Sequence, residues 1–322
     1  MSNGVTVALV GSPGVAAELG KKGTSSDLTL YNTVRDGHAV TLVEPTQFPD
    51  KFATLPLCLS MADQCILVVQ ELNRALAETI ATLELSAVPT TVVLGPTVGE
   101  GDIARLLKGG QLEAAPRIPL DLPALRALVD GWTAPELTGP VRVPLDHAFP
   151  VKGVGAVALG VVRRGTLRAH DRVRLWPTPK VVEVRSLQVH DIDRKEATCG
   201  ERVGAALKGV ESDEISRGHV LAPEGSLREG IRLASGPIEK CRYYRGDAGV
   251  GAHLHLSLGL QVVPVVLEEM GPDSAILVPD RPVVFQAEDA GILIDLDVPV
   301  GPRVVGRVKV RDVAEGGDTS PA

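Results

Sequence analysis

Residues 141–223 constrain the fold more tightly than any other part of the chain. The alternating runs there are short, and each is closed by a turn signal. Val157, Leu159 and Val161 alternate with Ala156, Ala158 and Gly160, the period-2 pattern of a strand with one buried face. Gly153 and Gly155 give the backbone freedom to turn into that strand, and Gly165 marks the next turn. Val173 and Leu175 begin a further alternation, followed by VVEVRSLQV (181–189), RVGAAL (202–207) and HVLA (219–222). Many short strands separated by turn signals argue for a small closed β-barrel.

The same stretch resembles domain 2 of the translational GTPases, the superfamily of elongation factor Tu and the selenocysteine-specific factor SelB. The resembling residues are Pro144–Asp146, Phe149, Lys152-Gly153-Val154-Gly155, Gly160, Arg164-Gly165-Thr166-Leu167 and Asp171. They continue with Val184-Arg185-Ser186-Leu187-Gln188, Gly200, Val203-Gly204 and Arg217-Gly218 before Val220-Leu221-Ala222. The run VRSLQVHD (184–191) leans toward the SelB-like branch, and the chain is similar to SelB-like paralogues of methanogenic archaea. The resemblance implies an α/β plus all-β architecture: a doubly wound, P-loop-type G domain over residues 1–138, then two β-barrels at 139–223 and 224–312. The polar tail, residues 313–322, is expected to be disordered.

The residues outside the barrel agree with that plan. VTVALVGS (5–12), AVTLVE (39–44), CILVVQ (65–70) and TTVVLG (90–95) read as buried strands. GVAAELG (14–20), Leu55–Met61, ALAETIATLEL (75–85), IARLLKGG (103–110) and LPALRALVDGW (122–132) read as helical pieces, the last with Pro123 near its start. Strands alternating with helices indicate a doubly wound sheet. GWTAPELTGP (131–140) reads as a linker. After Pro223, short strands broken by Gly and Pro occupy the place of a second barrel.

The nucleotide motifs are a different matter. A phosphate loop needs GxxxxGK[ST], with backbone N–H groups around the phosphates, a lysine on the terminal pair and a hydroxyl on Mg²⁺. Here strand one runs into Gly11-Ser12-Pro13-Gly14-Val15-Ala16-Ala17, so the first glycine stands and the Gly-Lys-Ser/Thr end is missing. Glu44 and Gln47 stand where the family's DxPG has Asp and Gly. Gly95-Pro96-Thr97-Val98 stands where NKxD would read guanine, and the later Ser-Ala motif is absent near IPLDL (118–122). Gly11, Gly14, Ser25 and Glu44 are what a vestigial cofactor site would retain, Ser25 near the place of the Mg²⁺-holding threonine. No cofactor is expected, and GTP with Mg²⁺ enters only under the alternative of an atypical GTP-binding factor. The polar run GKKGTSSDLTLYN (20–32) lies where the family has its first switch region. It reads either as a surface loop or as a loop binding RNA phosphates or a partner through Lys21, Lys22 and its hydroxyls.

A net charge of −7 argues against a protein that coats nucleic acid, but the charge is uneven. Residues 141–180 carry Arg142, Lys152, Arg163, Arg164, Arg168, Arg172, Arg174 and Lys180 against Asp146 and Asp171. This is a solvated rim or an RNA face. In the resembled family the aminoacyl end of tRNA lies in a pocket of domain 2. By that resemblance Asp146, His147, Phe149, Arg185, Gln188 and His190 are acceptor-end positions, with Lys152, Arg163 and Arg164 on phosphates, unless all are packing remnants. With 3% aromatic residues, a stacking platform of the RNA-recognition-motif type is not expected.

Other chemistries find no support. There is no GxSxG, HExxH or CxxC, and Cys58, Cys65, Cys199 and Cys241 read as buried reduced thiols. His253 and His255 share one face of a strand and read as structural. No apolar run reaches the roughly 18 residues of a membrane helix, and the N-terminus lacks a signal peptide's basic region, so the expected location is cytoplasmic. The expected partners are tRNA or another structured RNA, the ribosome or a translation factor, with no DNA and no membrane. The alternative from a third class is a regulatory interaction protein that does not touch RNA.

Overall fold

The computed structural model describes residues 4–35 and 37–314. Strand β1 (Gly4–Gly11) is the centre of a seven-stranded sheet. It pairs in parallel with β4 (His38–Glu44) on one side and β5 (Gln64–Val69) on the other. Beyond β5, β6 (Thr90–Leu94) and β7 (Arg117–Pro119) continue the parallel run. Beyond β4 the sheet ends in an antiparallel hairpin of β2 (Lys21–Ser25) and β3 (Thr29–Arg35). Most of the polar run at 20–32 is therefore ordered sheet edge rather than loop.

Alternation along β1 explains why both faces are covered. Val5, Val7 and Leu9 pack with helices α1 (Val15–Leu19) and α5 (Leu122–Asp130). Ala8 and Val10 pack with α2 (Thr54–Met61), α3 (Arg74–Ser86) and α4 (Glu100–Leu107) on the opposite side. Side chains fix the starts of the two longest helices. Asn73 Oδ1 accepts from Leu76 N at 2.8 Å, and Asp121 Oδ1 accepts from Ala124 N at 2.7 Å, with Pro123 in the first turn.

The second unit is a closed barrel. Strands β8 (Val143–Val151), β9 (Gly155–Val161), β11 (Arg172–Trp176), β12 (Val181–Val189), β15 (Arg202–Lys208) and β16 (Val220–Ala222) run β11-β16-β8-β9-β15-β12, and β11 pairs with β12 to close the ring. The short β10 (Thr166–Arg168), β13 (Ile192–Arg194) and β14 (Glu196–Thr198) decorate it. A Cβ on Gly160 would stand 2.3 Å from Pro144 O, so only glycine lets β8 and β9 approach there.

The third unit closes in the same way. Strands β18 (Leu233–Ser235), β20 (His253–Leu258), β21 (Gln261–Met270), β22 (Ala275–Pro279), β24 (Asp289–Ile294) and β25 (Val304–Val313) form its ring, closed between β18 and β25. The short β17 (Arg228–Gly230) pairs with β23 (Val283–Phe285), and β19 (Glu239–Lys240) pairs with β25. Val313 and Ala314, expected in the tail, still pair with the barrel, Ala314 N donating to Arg232 O at 2.8 Å. The rest of the expected tail lies outside the described residues.

The three units are fastened to one another by arginine–carboxylate pairs. Arg163 and Arg217 of the first barrel reach Asp63 and Asp27 of the sheet domain. Arg303 of the second barrel reaches Glu78 on α3, and Arg142 bridges to Asp289 between the barrels. Val161, Leu260, Ile292 and Val304 join the apolar core beneath α2 and α3, so these contacts are not polar alone.

Candidate functional site

Two places match the sequence expectations, and they differ in character. The first is the turn after β1. A phosphate loop arches away from its sheet, whereas here Gly11 stays in register with Val68 of β5. Its φ is +90°, and a Cβ would lie 2.2 Å from Val68 O. Ser12 N donates to Val68 O at 2.9 Å, and Ser12 Oγ accepts from Gln70 N at 3.1 Å. Thr97 Oγ1 donates to Gln70 O at 2.9 Å, so the strand ends are knitted together. Only Ser12, Pro13 and Gly14 separate β1 from α1.

The acceptor at that turn is a residue of the chain itself. Gly14 N and Ala16 N both donate to Glu44 Oε1, at 3.2 and 3.3 Å. Glu44 is buried, and it stands at the end of β4, the neighbour of β1. Burial, and then the charge of Glu44, push the Tyr31 phenol pKa up. Of the four vestigial positions, the structure thus brings Gly11, Gly14 and Glu44 to one turn. Ser25 is engaged elsewhere, its hydroxyl 3.2 Å from Thr29 Oγ1 within the hairpin.

The second place is a cleft of about 700 Å³ between the β2–β3 hairpin and the first barrel. This volume is ordinary for a small-ligand site. One lip carries Lys21 and Lys22 on β2. The other includes Val151 and Val154; Lys152 lies in the turn between these two lining residues, and Arg185 Nη1 donates to Val154 O at 3.0 Å. All four cations are exposed, and none makes an ion pair among the described residues. Phe149, Val157 and Leu159 line the cleft with apolar surface. Gln188, His190 and Arg202 add polar groups.

Beneath the cleft lies a buried ion pair. Arg202 Nη2 donates to Asp146 Oδ2 at 2.6 Å, and the two side chains are 9% and 4% exposed. Asp146 is thereby below the floor rather than on it. His147 is exposed, its ring 5.9 Å from Phe149. Gln188 Nε2 donates to Asp193 Oδ1 at 2.9 Å, and His190 Nε2 lies 3.3 Å from Thr41 Oγ1 on β4.

The expected run of barrel cations is broken up. Arg163 donates to Asp63 Oδ1 at 2.7 Å and to the carbonyls of Met61 and Ala62, deep in the domain contact. Arg164 donates to Gln286 Oε1 at 3.2 Å on the second barrel. Arg168 pairs with Glu196, while Arg174 pairs with Glu224 and Glu229 and stacks on Trp176 at 3.8 Å. Arg163 is thus spent on the contact with the sheet domain, while Arg164, half-buried and without an ion pair among the described residues, bridges the two barrels through one bond to a neutral amide. Arg202 was missed by sequence reasoning. Its signal was an arginine opening the otherwise apolar strand RVGAAL.

Burial, and then the Arg202 charge, pull the His190 pKa down, and burial does the same at His219. A histidine with a lowered folded pKa contributes stability while neutral and loses it as pH falls through the unfolded value of about 6.5. The thermal midpoint is expected to drop between about pH 7.5 and about pH 5.5, and less steeply in His190→Gln. A melting series at both pH values, in wild type and variant, checks this. An unchanged slope in the variant refutes the assignment to His190.

Among the described residues no group of three or more His, Cys, Asp or Glu could hold a metal. His253 is exposed and His255 half-buried, on one strand. The four cysteines are buried thiols, and burial drives the Cys65 thiol to about 12.

Comparison with known proteins agrees with this architecture. Residues 155–222 match the family model for elongation factor Tu domain 2. An uncharacterized protein of Methanocaldococcus jannaschii is 35% identical over 295 residues, which covers 91% of this chain and 95% of that one. The selenocysteine-specific elongation factor of the same organism is 25% identical over 342 residues, covering 92% of this chain and 72% of that one. Elongation factor SelB of Methanococcus maripaludis, in complex with a GTP analogue, shares the fold at a TM-score of 0.82 and 20% identity, over 96% of this chain and 79% of that one. Barrel motif, full-length relative and shared three-part fold meet in one conclusion: the chain belongs to the translational GTPase superfamily, in its SelB-like branch.

Proposed function

We propose that this elongation-factor-like chain binds the acceptor end of a tRNA, or a similar single-stranded RNA end, in the cleft between the β2–β3 hairpin and the first barrel, and does so without a nucleotide cycle. The observation that carries the reading is an apolar cleft lined on one lip by the exposed Lys21 and Lys22, with polar groups at its floor and the exposed Lys152 and Arg185 next to the lining residues of the other lip. Lys21, Lys22, Lys152 and Arg185 suit phosphates, Phe149 suits a stacked base, and Gln188 and His190 offer hydrogen bonds. The relatives named as elongation factors support an RNA ligand of this kind. Filter binding of charged and uncharged tRNA over a salt series tests it. An affinity indifferent to salt would hand the cleft to the reading of a regulatory interaction protein.

The nucleotide half rests on Glu44. A carboxylate already bonded to the two N–H groups of the turn leaves them no donors for phosphate and repels its charge. The lysine, hydroxyl and guanine-reading aspartate are missing as well. Calorimetry with GTP, GDP and a nonhydrolysable analogue in Mg²⁺ is expected to give no micromolar binding. A guanine-specific micromolar constant would overturn this half and restore the atypical GTP-binding factor.

A further inference from the structure

We infer that Asp27 and Arg217 are positioning residues that set the width of the cleft. The inference takes its purpose from the RNA reading of that cleft, while its geometry stands alone. The lip bearing Lys21 and Lys22 is an edge strand, held within its sheet by β3 only. Whatever fixes the hairpin against the barrel therefore fixes the distance between the two rows of cations.

That fixing point is the hairpin's own turn. Ser26, Asp27 and Leu28 connect β2 to β3, and Asp27 is 6% exposed. Its Oδ2 accepts from Arg217 Nη1 at 2.7 Å and its Oδ1 from Arg217 Nη2 at 2.6 Å, a two-bond fork. Arg217 belongs to the barrel, in the segment leading to β16, and its Nε lies 3.5 Å from Asp146 O beneath the cleft floor. Lys51 of the sheet domain donates to the same Asp27 Oδ2 at 2.9 Å, and Gln47 N donates to Asp27 O at 3.2 Å. One carboxylate is thus tied to its own domain by Lys51 and to the barrel by Arg217. The Arg217 guanidinium, aided by Lys51, holds the Asp27 carboxyl well below the usual carboxylate range, so the tie persists through neutral pH.

The second link between hairpin and barrel is weaker. Thr24 Oγ1 lies 3.4 Å from Arg202 Nη2. Without Arg217 the hairpin keeps Lys51 and its sheet bonds, and so stays folded, but its lip is free to swing from the barrel. Lysine at 217 keeps the charge and gives up the fork.

The test reads the width directly and needs no RNA. Spin labels are placed on Lys22→Cys and Lys152→Cys, one on each lip. The four native cysteines are buried, which directs labelling to the new ones. Distance distributions by pulsed electron resonance are compared in this background. The expected result is a narrow distribution in the parent, a longer and broader one with Arg217→Ala, an intermediate one with Arg217→Lys, and no change with Lys51→Met. In the unlabelled chain, Arg217→Ala should lower the salt slope of RNA binding by about 1.4, as though both β2 lysines had been lost. An unchanged distance distribution in Arg217→Ala overturns the inference even if RNA binds. Should that variant fail to fold, an unchanged distribution in Arg217→Lys overturns it instead. A widened cleft in a chain with no RNA affinity keeps the positioning role and removes the RNA reading.

Discussion

Affinity for a single-stranded acceptor end is expected to fall about 50-fold as salt rises from about 50 to about 200 mM. The figure takes four phosphate contacts, from Lys21 and Lys22 in the cleft and from Lys152 and Arg185 beside it. Each single-strand phosphate contact adds about 0.7 to the slope of log affinity against log salt, which gives about 2.8 for four. Replacing Lys21 and Lys22 together by Ala should halve that slope and reduce the fall to about 7-fold. Arg163→Ala should leave the slope unchanged, because that guanidinium is spent on Asp63 and two carbonyls. Filter binding at five or six salt concentrations separates the two cases. A slope lowered by the Arg163 variant and untouched by the lysine pair would return phosphate binding to the barrel face.

Removing Arg303 is expected to destabilise the chain by about 3–5 kcal/mol, the range for breaking a buried pair from one side. Arg303 Nε and Nη2 donate to the two Glu78 oxygens at 3.0 and 2.6 Å, and Nη2 also donates to Pro49 O at 2.9 Å. The guanidinium lies 4.8 Å from the Phe52 ring centroid. Glu78 sits on α3 with its side chain 3% exposed, so Arg303→Ala strands a charge in the contact between the sheet domain and the second barrel. Pairing it with Glu78→Gln should recover part of the loss, since no charge is then stranded. Urea titration of the single and double variants measures this. A loss under about 1 kcal/mol for Arg303→Ala would mean that the pair behaves as a surface salt bridge.

The barrels and the central strands were legible because their signals are local. Period-2 alternation in β12, and the continuous apolar runs of β1, β5 and β6, report burial on one face or two. The alternation of β9 marks the strand but not its buried face: the small Ala156 and Ala158 pack in the barrel, and the larger Val157 and Leu159 are half-exposed in the cleft. Strand β2 was not legible. KKGTS has neither alternation nor apolar content, and it is a strand because β3 offers it a backbone ladder at the sheet edge. The site was hidden for a related reason. Glu44 meets Gly14 across 30 residues and Arg163 meets Asp63 across 100, contacts that no local pattern announces. A count of cations along 141–180 could not tell those bound within the chain from those left at its surface.

The carboxylate at the β1 turn has a kinetic consequence. A phosphate ligand arrives, is cleaved and leaves, and so gives a factor a clock. Glu44 is joined to the chain by covalent bonds, and its oxygen, beside Gly14 N and Ala16 N, does not depart as a cleaved phosphate does. A partner seated in the cleft would then meet no timed release. How long it stays would be set by its own dissociation rate, and its occupancy by its concentration alone. Under the proposed reading such a molecule would act as a holder, loaded and unloaded by mass action rather than by a nucleotide clock.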